Sequence, residues 1–182
     1  MLVGIVVATT FVQPSRIGAI EEDRMVVNIA KLTDTDLMHK ACESTMHGQK
    51  SNLSLSDIYK CEHSPIRTQL FWIEMIVPTF VSVHFVRHKI GVEHFVQTNR
   101  EDRGGLSEVD RMTPVKHSML INAQALIQMA RKRLCKQSHS ATREAMRDIK
   151  MAVFQVDPDL YEFLVPECMY RGKCPELKSC RE

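Results

Sequence analysis

The stretch that decides the fold is TQLFWIEMIV, residues 68–77, followed directly by PTFVSVHFVRHK, residues 78–89. Its first half is rich in large apolar and branched side chains, which is typical of a strand with both faces largely covered. Pro78 stands where a helix can begin, because proline at the first helical position loses no hydrogen bond. Residues 79–88 are apolar nearly all round, so we predict a buried helix that ends in the cationic sequence RHK, residues 87–89.

The patterns on either side predict more strands and helices. Residues 91–98 are predicted to form a second strand, and the polar, glycine-containing stretch 99–114 a flexible loop. A clear helix is predicted from apolar residues at three- and four-residue spacing, namely Met119, Ala123, Leu126, Ile127, Ala130 and Leu134. The other predicted elements are a buried strand over 1–8, helices over 35–42, 53–59 and 141–154, and an irregular, cysteine-containing tail over 158–182. The predicted class is therefore α/β or α+β, with a central sheet packed with helices in one domain spanning residues 1–182.

The bulk composition bounds the class of function. A chain of 182 residues is long enough to bury a sizeable core. Its formal net charge of +2 argues against wholesale binding to nucleic acid or membranes, although a local cationic cluster would suffice for a nucleotide. The apolar start lacks the positive n-region of a signal peptide, and no stretch approaches the length that spans a bilayer. Six cysteines without a secretion signal fit a reducing compartment, so we expect a cytoplasmic location.

The sequence RHK at residues 87–89 is the first candidate for chemistry. Its three cationic or titratable groups emerge from an apolar element, where unpaired charge is costly. A phosphate, a pyrophosphate or an electron-rich flavin ring would satisfy them, and Arg87 can bind such an anion through two parallel hydrogen bonds. The alternative is a solvated helix end, where the helix dipole favours cations in any case.

A second basic group consists of Arg131, Lys132, Arg133 and Arg143. Taken alone, it is typical of a solvated helix face. Arg133 and Arg143 are ten residues apart, so they can converge on one ligand only through a bend or a turn between two helices.

Two further motifs give weaker signals. In CEHSP, residues 61–65, the proline fixes the backbone, and His63 or Ser64 offers a hydrogen bond to a ligand. Three tail cysteines with the spacing C-x5-C-x5-C are weak candidates for zinc ligands, with Cys135 or a histidine as the fourth; they are Cys168, Cys174 and Cys180. This spacing does not match the familiar pairs separated by two residues, so reduced thiols are favoured and no metal is expected.

Taken together, the order of these pieces resembles the flavin-dependent thymidylate synthases. The matching stretches are EHSPIRTQLFWIEM, PTFVSVHFVRHKIGVEHFVQTNR and INAQALIQMARKRLCKQSHSATR, and the tail PECMYRGKCPELKSC resembles the ends of some members. The resemblance covers roughly residues 40–182. It implies this family's fold and a homotetramer with FAD at the subunit interfaces. It also implies reductive methylation of dUMP to dTMP, with methylenetetrahydrofolate as carbon donor and NADPH as the reductant of FAD.

The resemblance also implies roles for individual residues. FAD would be held by Arg87, His88, Lys89, Ser64 and Arg133. The pyrimidine nucleotide would be bound by His84, Gln97, Thr98, Arg100 and Arg143. Of these, Arg143 and Thr98 would be the catalytic residues, with Thr98 in the place of the motif serine and Arg143 polarising the uracil ring. A fixed cation beside a carbonyl stabilises negative charge that develops during hydride attack.

Several positions depart from the family's pattern. Lys89 replaces an arginine, which exchanges a planar fork for a point charge. His84, Arg67 and Gln124 stand where a glutamine, a glutamate and an arginine are usual. These departures leave open a related flavin-dependent pyrimidine nucleotide hydroxymethylase. The basic residues 131–133 and the cysteine-containing tail leave open a second alternative, a non-catalytic homologue that binds nucleotides or nucleic acid. We rank the nucleic-acid binder well below the enzyme.

Overall fold

The computed structural model describes residues 27–47 and 49–179. Within that part of the chain an antiparallel sheet runs in the order β1-β2-β4-β3, with β1 (Val27–Lys31), β2 (Leu70–Pro78), β3 (Val92–Val96) and β4 (Pro114–Asn122). The helices are α1 (Thr35–Thr45), α2 (Leu55–Cys61), α3 (Thr79–Val86), α4 (Ala123–Arg133), α5 (Ser140–Val156), α6 (Pro158–Tyr161) and α7 (Glu167–Tyr170). The prediction of a central sheet packed with helices is confirmed.

Strand β2 is covered on one face rather than two. Phe71, Ile73, Met75 and Val77 point into the core and are buried, as the alternation of side chains along a strand requires. The opposite face carries Trp72, Glu74 and Ile76, and the Ile76 side chain is 51% exposed. The prediction that both faces are largely covered is therefore wrong. The fold is a sheet with helices on one side and a partly apolar outer face.

Strand β4 was not predicted, and the helix predicted from Met119 onwards begins later. Met119 lies on β4 opposite Ile73, whereas the helix α4 begins at Ala123. Met119 and Ala123 are both buried and lie four positions apart, which matches a helical spacing although the end of β4 lies between them. The boundary is set by Asn122, whose side-chain oxygen accepts a hydrogen bond of 2.9 Å from the backbone N–H of Ala125 and so caps α4.

The helix predicted over residues 79–88 is present but ends earlier, spanning Thr79–Val86, and Pro78 is its N-cap rather than its first residue. Val81, Ser82 and Phe85 are buried, but Val83 is 49% exposed, so this helix is not buried all round. Strand β1 lies in a polar stretch for which the sequence predicts no strand. The strand predicted over residues 1–8 lies outside the described residues.

A buried polar contact closes the end of the long helix α5. Asp157, next to its last residue, accepts hydrogen bonds of 2.7 Å from the Tyr59 hydroxyl and from the Lys31 ammonium. Burial, together with the neighbouring Asp157 carboxylate, raises the pKa of Tyr59, which therefore stays protonated as a donor. The contact joins β1, α2 and α5.

No helix of residues 27–47 and 49–179 is long and apolar enough to cross a membrane.

Candidate functional site

Histidines and arginines gather where α3, α4 and α5 meet, and we call them the cationic cluster: His84, Arg87, His88, Arg111, Arg133 and His139. Arg133, the last residue of α4, donates from Nε to His88 Nε2 at 3.0 Å and from its terminal nitrogen to the backbone carbonyl of His84. The last residue of α4 therefore contacts the C-terminal end of α3 directly. This contact brings together three of the residues that the resemblance selects.

The ring of Phe80 forms an apolar floor beside the cluster. The His139 ring meets it edge-on at a centroid distance of 4.8 Å, and the His84 ring does so at 6.0 Å. The Arg111 guanidinium lies 5.0 Å from the Phe80 centroid, within the range of a cation–π contact. His84 Nδ1 lies 2.6 Å from the hydroxyl of the buried Thr142 in the first turn of α5. The site therefore combines cations, imidazoles and one aromatic face.

The arginines of the cluster give it a positive charge. Burial, followed by the nearby Arg133 and His94, lowers the pKa of His88 to about 4. Burial, Arg133 and Arg87 likewise lower the pKa of His84, and burial and Arg87 lower the pKa of Arg133. Among the ion pairs of the described residues, none includes an arginine of the cluster. Binding an anion would reduce the repulsion between the positive charges of such a cluster.

A line of imidazoles connects the cluster with the core. Ser82 Oγ lies 3.0 Å from His117 Nδ1, and His117 Nε2 lies 2.9 Å from His94 Nδ1. His94 Nε2 then lies 2.7 Å from the backbone carbonyl oxygen of His88. His117 is fully buried on β4, and burial followed by the charge of His94 lowers its pKa to about 4. We call this line, from Ser82 to the His88 carbonyl, the imidazole chain.

The predicted catalytic Arg143 braces the turn between α4 and α5. One of its terminal nitrogens donates to the backbone carbonyls of Lys136 and Ser138, at 2.9 and 3.0 Å. The turn that the sequence requires for Arg133 and Arg143 to converge is therefore present, but Arg133 reaches α3 while Arg143 holds the turn itself.

The other predicted nucleotide ligands form a local group after β3. Arg100 makes two hydrogen bonds to Asp102, at 2.9 and 2.7 Å, and both side chains are largely exposed. The Thr98 hydroxyl accepts from the backbone N–H of Arg100 at 3.3 Å, and Gln97 accepts from the backbone N–H of Lys116 at 3.1 Å. The Arg100 guanidinium, the Thr98 oxygen and the Gln97 side-chain oxygen thus each make a contact within the chain.

The remaining predicted cofactor ligands lie at the surface. Lys89 is exposed directly after His88. Ser64 is also exposed and lines a separate, mainly apolar cavity of about 500 Å³, together with Cys42, Leu53 and Ile58. The structure thus gathers His84, Arg87, His88 and Arg133 and leaves Ser64 in a different cavity.

The interpretation of residues 131–133 as a solvated helix face is wrong for two of the three. Arg131 forms an ion pair with Glu62, and its guanidinium lies 3.5 Å from the centroid of the Tyr170 ring. Arg133 is directed into the cationic cluster, and only Lys132 is exposed. Two of the cations that motivated nucleic-acid binding are therefore engaged within the protein.

The tail cysteines form no metal site in the part that the structure describes. No group of three or more His, Cys, Asp or Glu residues is arranged to hold a metal ion in residues 27–47 and 49–179. Cys180, the third cysteine of the C-x5-C-x5-C series, lies outside the described residues.

Sequence reasoning missed several members of the site: Phe80, His94, Arg111, His117, His139 and Thr142. His117 was hidden because β4 was read as the start of a helix. A signal was present, since Val115, His117, Met119 and Ile121 alternate and all face the core. Arg111 and His139 come from connecting segments, whose approach to Phe80 depends on the tertiary fold.

A sheet with helices on one face and a cationic cluster at the helix ends define the class as a mixed α/β protein with a candidate anion site. No protein-family model and no curated protein matches the sequence. Among solved structures, the chain is similar to a UMP/dUMP methylase, PolB from Streptomyces cacaoi, in a crystal structure bound with 5-Br dUMP. The TM-score is 0.62 at 12% sequence identity, over 77% of this chain and 94% of that chain. At this identity the likeness shows that the two proteins share a fold.

Proposed function

We propose that this protein is a flavin-dependent enzyme that modifies a pyrimidine nucleotide, and that its reaction is reductive methylation of dUMP to dTMP. The observation that carries the proposal is the cationic cluster, which holds several cations and imidazoles without an acidic partner among the described residues. The shared fold with a methylase of UMP and dUMP supports the choice of a pyrimidine nucleotide as substrate.

The cluster fits an anionic cofactor such as FAD. Arg133 is partly buried beside Arg87, and its pKa is lowered by burial and by the positive charge of Arg87. A pyrophosphate bound to both guanidinium groups would relieve this repulsion. His88 and His84 are neutral at pH 7 because burial lowers their pKa values, so they offer hydrogen bonds without adding charge. We propose that Arg87, His88, Lys89 and Arg133 hold FAD, and that Ser64 contacts a different part of it. Bound FAD would supply hydride from NADPH to the pyrimidine.

The nucleotide is proposed to bind beside this site. Arg143 holds the turn through one terminal nitrogen, and its remaining N–H groups would polarise a uracil carbonyl as charge develops there. Arg100 would exchange Asp102 for the substrate phosphate, which is inexpensive because exposed ion pairs contribute about 1 kcal/mol or less. Thr98, Gln97 and His84 would complete the contacts. We propose a homotetramer with FAD at the interfaces, so that neighbouring copies enclose the cofactor and methylenetetrahydrofolate.

The first test is the visible absorption spectrum of purified protein before and after FAD is added. We expect a flavin band that is lost or strongly weakened in Arg133→Ala and retained in Lys132→Ala, which removes an exposed neighbouring cation. A colourless wild-type protein that takes up no FAD would reject the flavin site. Equal affinities of the two variants would reject the assignment of Arg133.

The second test identifies the product. The flavin-loaded protein is incubated with dUMP, methylenetetrahydrofolate and NADPH, and the nucleotide is analysed by mass. A methylated product supports the thymidylate synthase reaction, whereas a product heavier by one further oxygen supports the hydroxymethylase. Unmodified dUMP with a bound flavin would reject dUMP as substrate and direct the same assay to UMP.

A further inference from the structure

We infer that His94 and His117 are positioning residues of the cofactor site, and that they fix the His88 carbonyl through a hydrogen-bond chain that runs in one direction. The inference rests on the proposed function for its ligand, but the chain itself is defined by the described residues alone. Neither histidine was among the residues that the resemblance selects.

The direction of the imidazole chain follows from its last acceptor. A carbonyl oxygen can only accept, so His94 Nε2, at 2.7 Å from the His88 oxygen, carries the hydrogen. A neutral imidazole has one N–H, so His94 Nδ1 accepts, and His117 Nε2 must donate to it at 2.9 Å. His117 Nδ1 is then the acceptor for the Ser82 hydroxyl at 3.0 Å. One tautomer of each histidine satisfies every group.

The chain connects α3 with the sheet at two points. It starts at Ser82 inside α3, passes through His117 on β4 and His94 on β3, and returns to His88 just after α3 ends. The His88 ring is held separately, since its Nε2 accepts from Arg133. The backbone and the side chain of His88 are therefore fixed by different elements, and residues 87–89 cannot rotate without breaking one of these bonds.

Imidazoles suit this task because the neutral ring both donates and accepts a hydrogen bond without carrying charge. An ionised carboxylate has no hydrogen to donate to the His88 carbonyl, and its charge would also neutralise Arg87 and Arg133 and weaken the attraction for an anion. Burial lowers the pKa of His117, which keeps it in the neutral form that the chain requires. Ser82 and His117 are almost fully excluded from solvent, so a broken bond would leave a polar group buried and unpaired. The chain thus orients the cationic segment without reducing its charge.

The tautomers are tested by long-range 1H–15N NMR of the histidine rings in the wild-type protein at a pH slightly above 7, without ligand. We expect hydrogen on Nε2 of His94 and His117 and on Nδ1 of His88. A His94 ring with hydrogen on Nδ1 alone would overturn the chain, because it could not then donate to the His88 carbonyl. This measurement needs no variant and no bound cofactor.

The positioning role is tested by affinity for FAD, with inorganic pyrophosphate as a second probe. His94→Phe removes the bond to His88 and is expected to weaken both ligands about tenfold, the equivalent of one lost hydrogen bond. His94→Gln keeps a donor and should restore most of the affinity, and Glu93→Gln, an exposed neighbour on β3, should match wild type. Ser82→Ala is the second variant in case His94→Phe fails to fold. It changes little volume and should cause a smaller loss of affinity.

The outcomes separate the inference from the proposed function. Wild-type protein that binds neither FAD nor pyrophosphate rejects the proposed function, while the NMR tautomers still decide whether the chain fixes His88. Wild-type protein that binds FAD, with unchanged affinity in His94→Phe and Ser82→Ala, overturns the positioning role alone. Equal losses in His94→Phe and His94→Gln would also overturn it, because only one of them removes the donor.

Discussion

Two adjacent cations on α4 differ sharply in their surroundings. The Arg131 side chain is 11% exposed, is paired with Glu62, and stacks on Tyr170. Lys132 is exposed to solvent. Sequence alone could not separate them, because Glu62 and Tyr170 are distant along the chain and approach α4 only in the folded molecule. The same limit applies to Arg111 and His139, whose place beside Phe80 no local pattern encodes.

This difference predicts unequal effects of truncation. Arg131→Ala should lower the free energy of unfolding by about 3 kcal/mol, since it leaves the partly buried Glu62 carboxylate without its cation. Lys132→Ala should change it by less than about 0.5 kcal/mol. Urea unfolding followed by circular dichroism measures both. Similar values for the two variants would mean that the contacts of Arg131 contribute nothing to stability.

At the scale of elements, a strand or helix was predicted correctly where its apolar pattern fitted only one type of secondary structure. Strand β2 and helix α3 were predicted close to their observed bounds, because Pro78 separates two long apolar runs. Strand β4 was missed because Met119 fits the spacing of the helix that follows it. Strand β1 was missed because only Val27, Ile29 and Lys31 turn towards the core, too short an alternation to stand out.

The connection between α3 and β3 gives a prediction at this scale. Gly91 has φ of +73°, and a Cβ there would lie 2.5 Å from the side-chain nitrogen of Asn122, the residue that caps α4. Gly91→Ala should therefore lower stability by about 3 kcal/mol, through backbone strain and a displaced cap. Gly104 has φ of +79° but no atom within 4 Å, so Gly104→Ala should lower stability by about 1 kcal/mol. Thermal unfolding of both variants measures the difference, and equal losses would contradict it.

At the scale of the whole molecule, the buried imidazoles make stability depend on pH. His117 has a folded-state pKa of about 4, below the ordinary value of 6.5, so the unfolded chain binds its proton first. Its contribution is complete above about pH 6.5 and is lost as the pH falls towards about 4. We expect His117 alone to lower the free energy of unfolding by about 2 kcal/mol between about pH 7.5 and about pH 5.

The control for this pH dependence is His117→Gln, which removes the titrating ring from the core. Its free energy of unfolding should fall less steeply over the same pH range, although the partly buried His88 should leave some of the dependence in place. Denaturant unfolding at several pH values gives the two slopes. Parallel curves would show that His117 does not set the dependence.

The fold class of the whole molecule was predictable because the alternation and helix signals agree over most of the chain. The composition of the site was less so: the sequence selects His84, His88 and Arg133, which do meet, but it cannot show that Arg143 holds a turn or that Arg100 pairs with Asp102. Those contacts use the same guanidinium groups that a ligand would need, and only the folded chain shows which carbonyls and carboxylates lie within hydrogen-bond distance of them.

The one-sided sheet also gives the molecule a built-in optical probe. Trp72, the single tryptophan of the sequence, lies on the outer face of β2, with its ring centroid 5.5 Å from that of Phe95 on β3. Its fluorescence therefore originates from the side of the sheet opposite the helices. Emission at long wavelength would show an outer face in contact with water, and a shift to shorter wavelength with rising protein concentration would show that another copy had covered it.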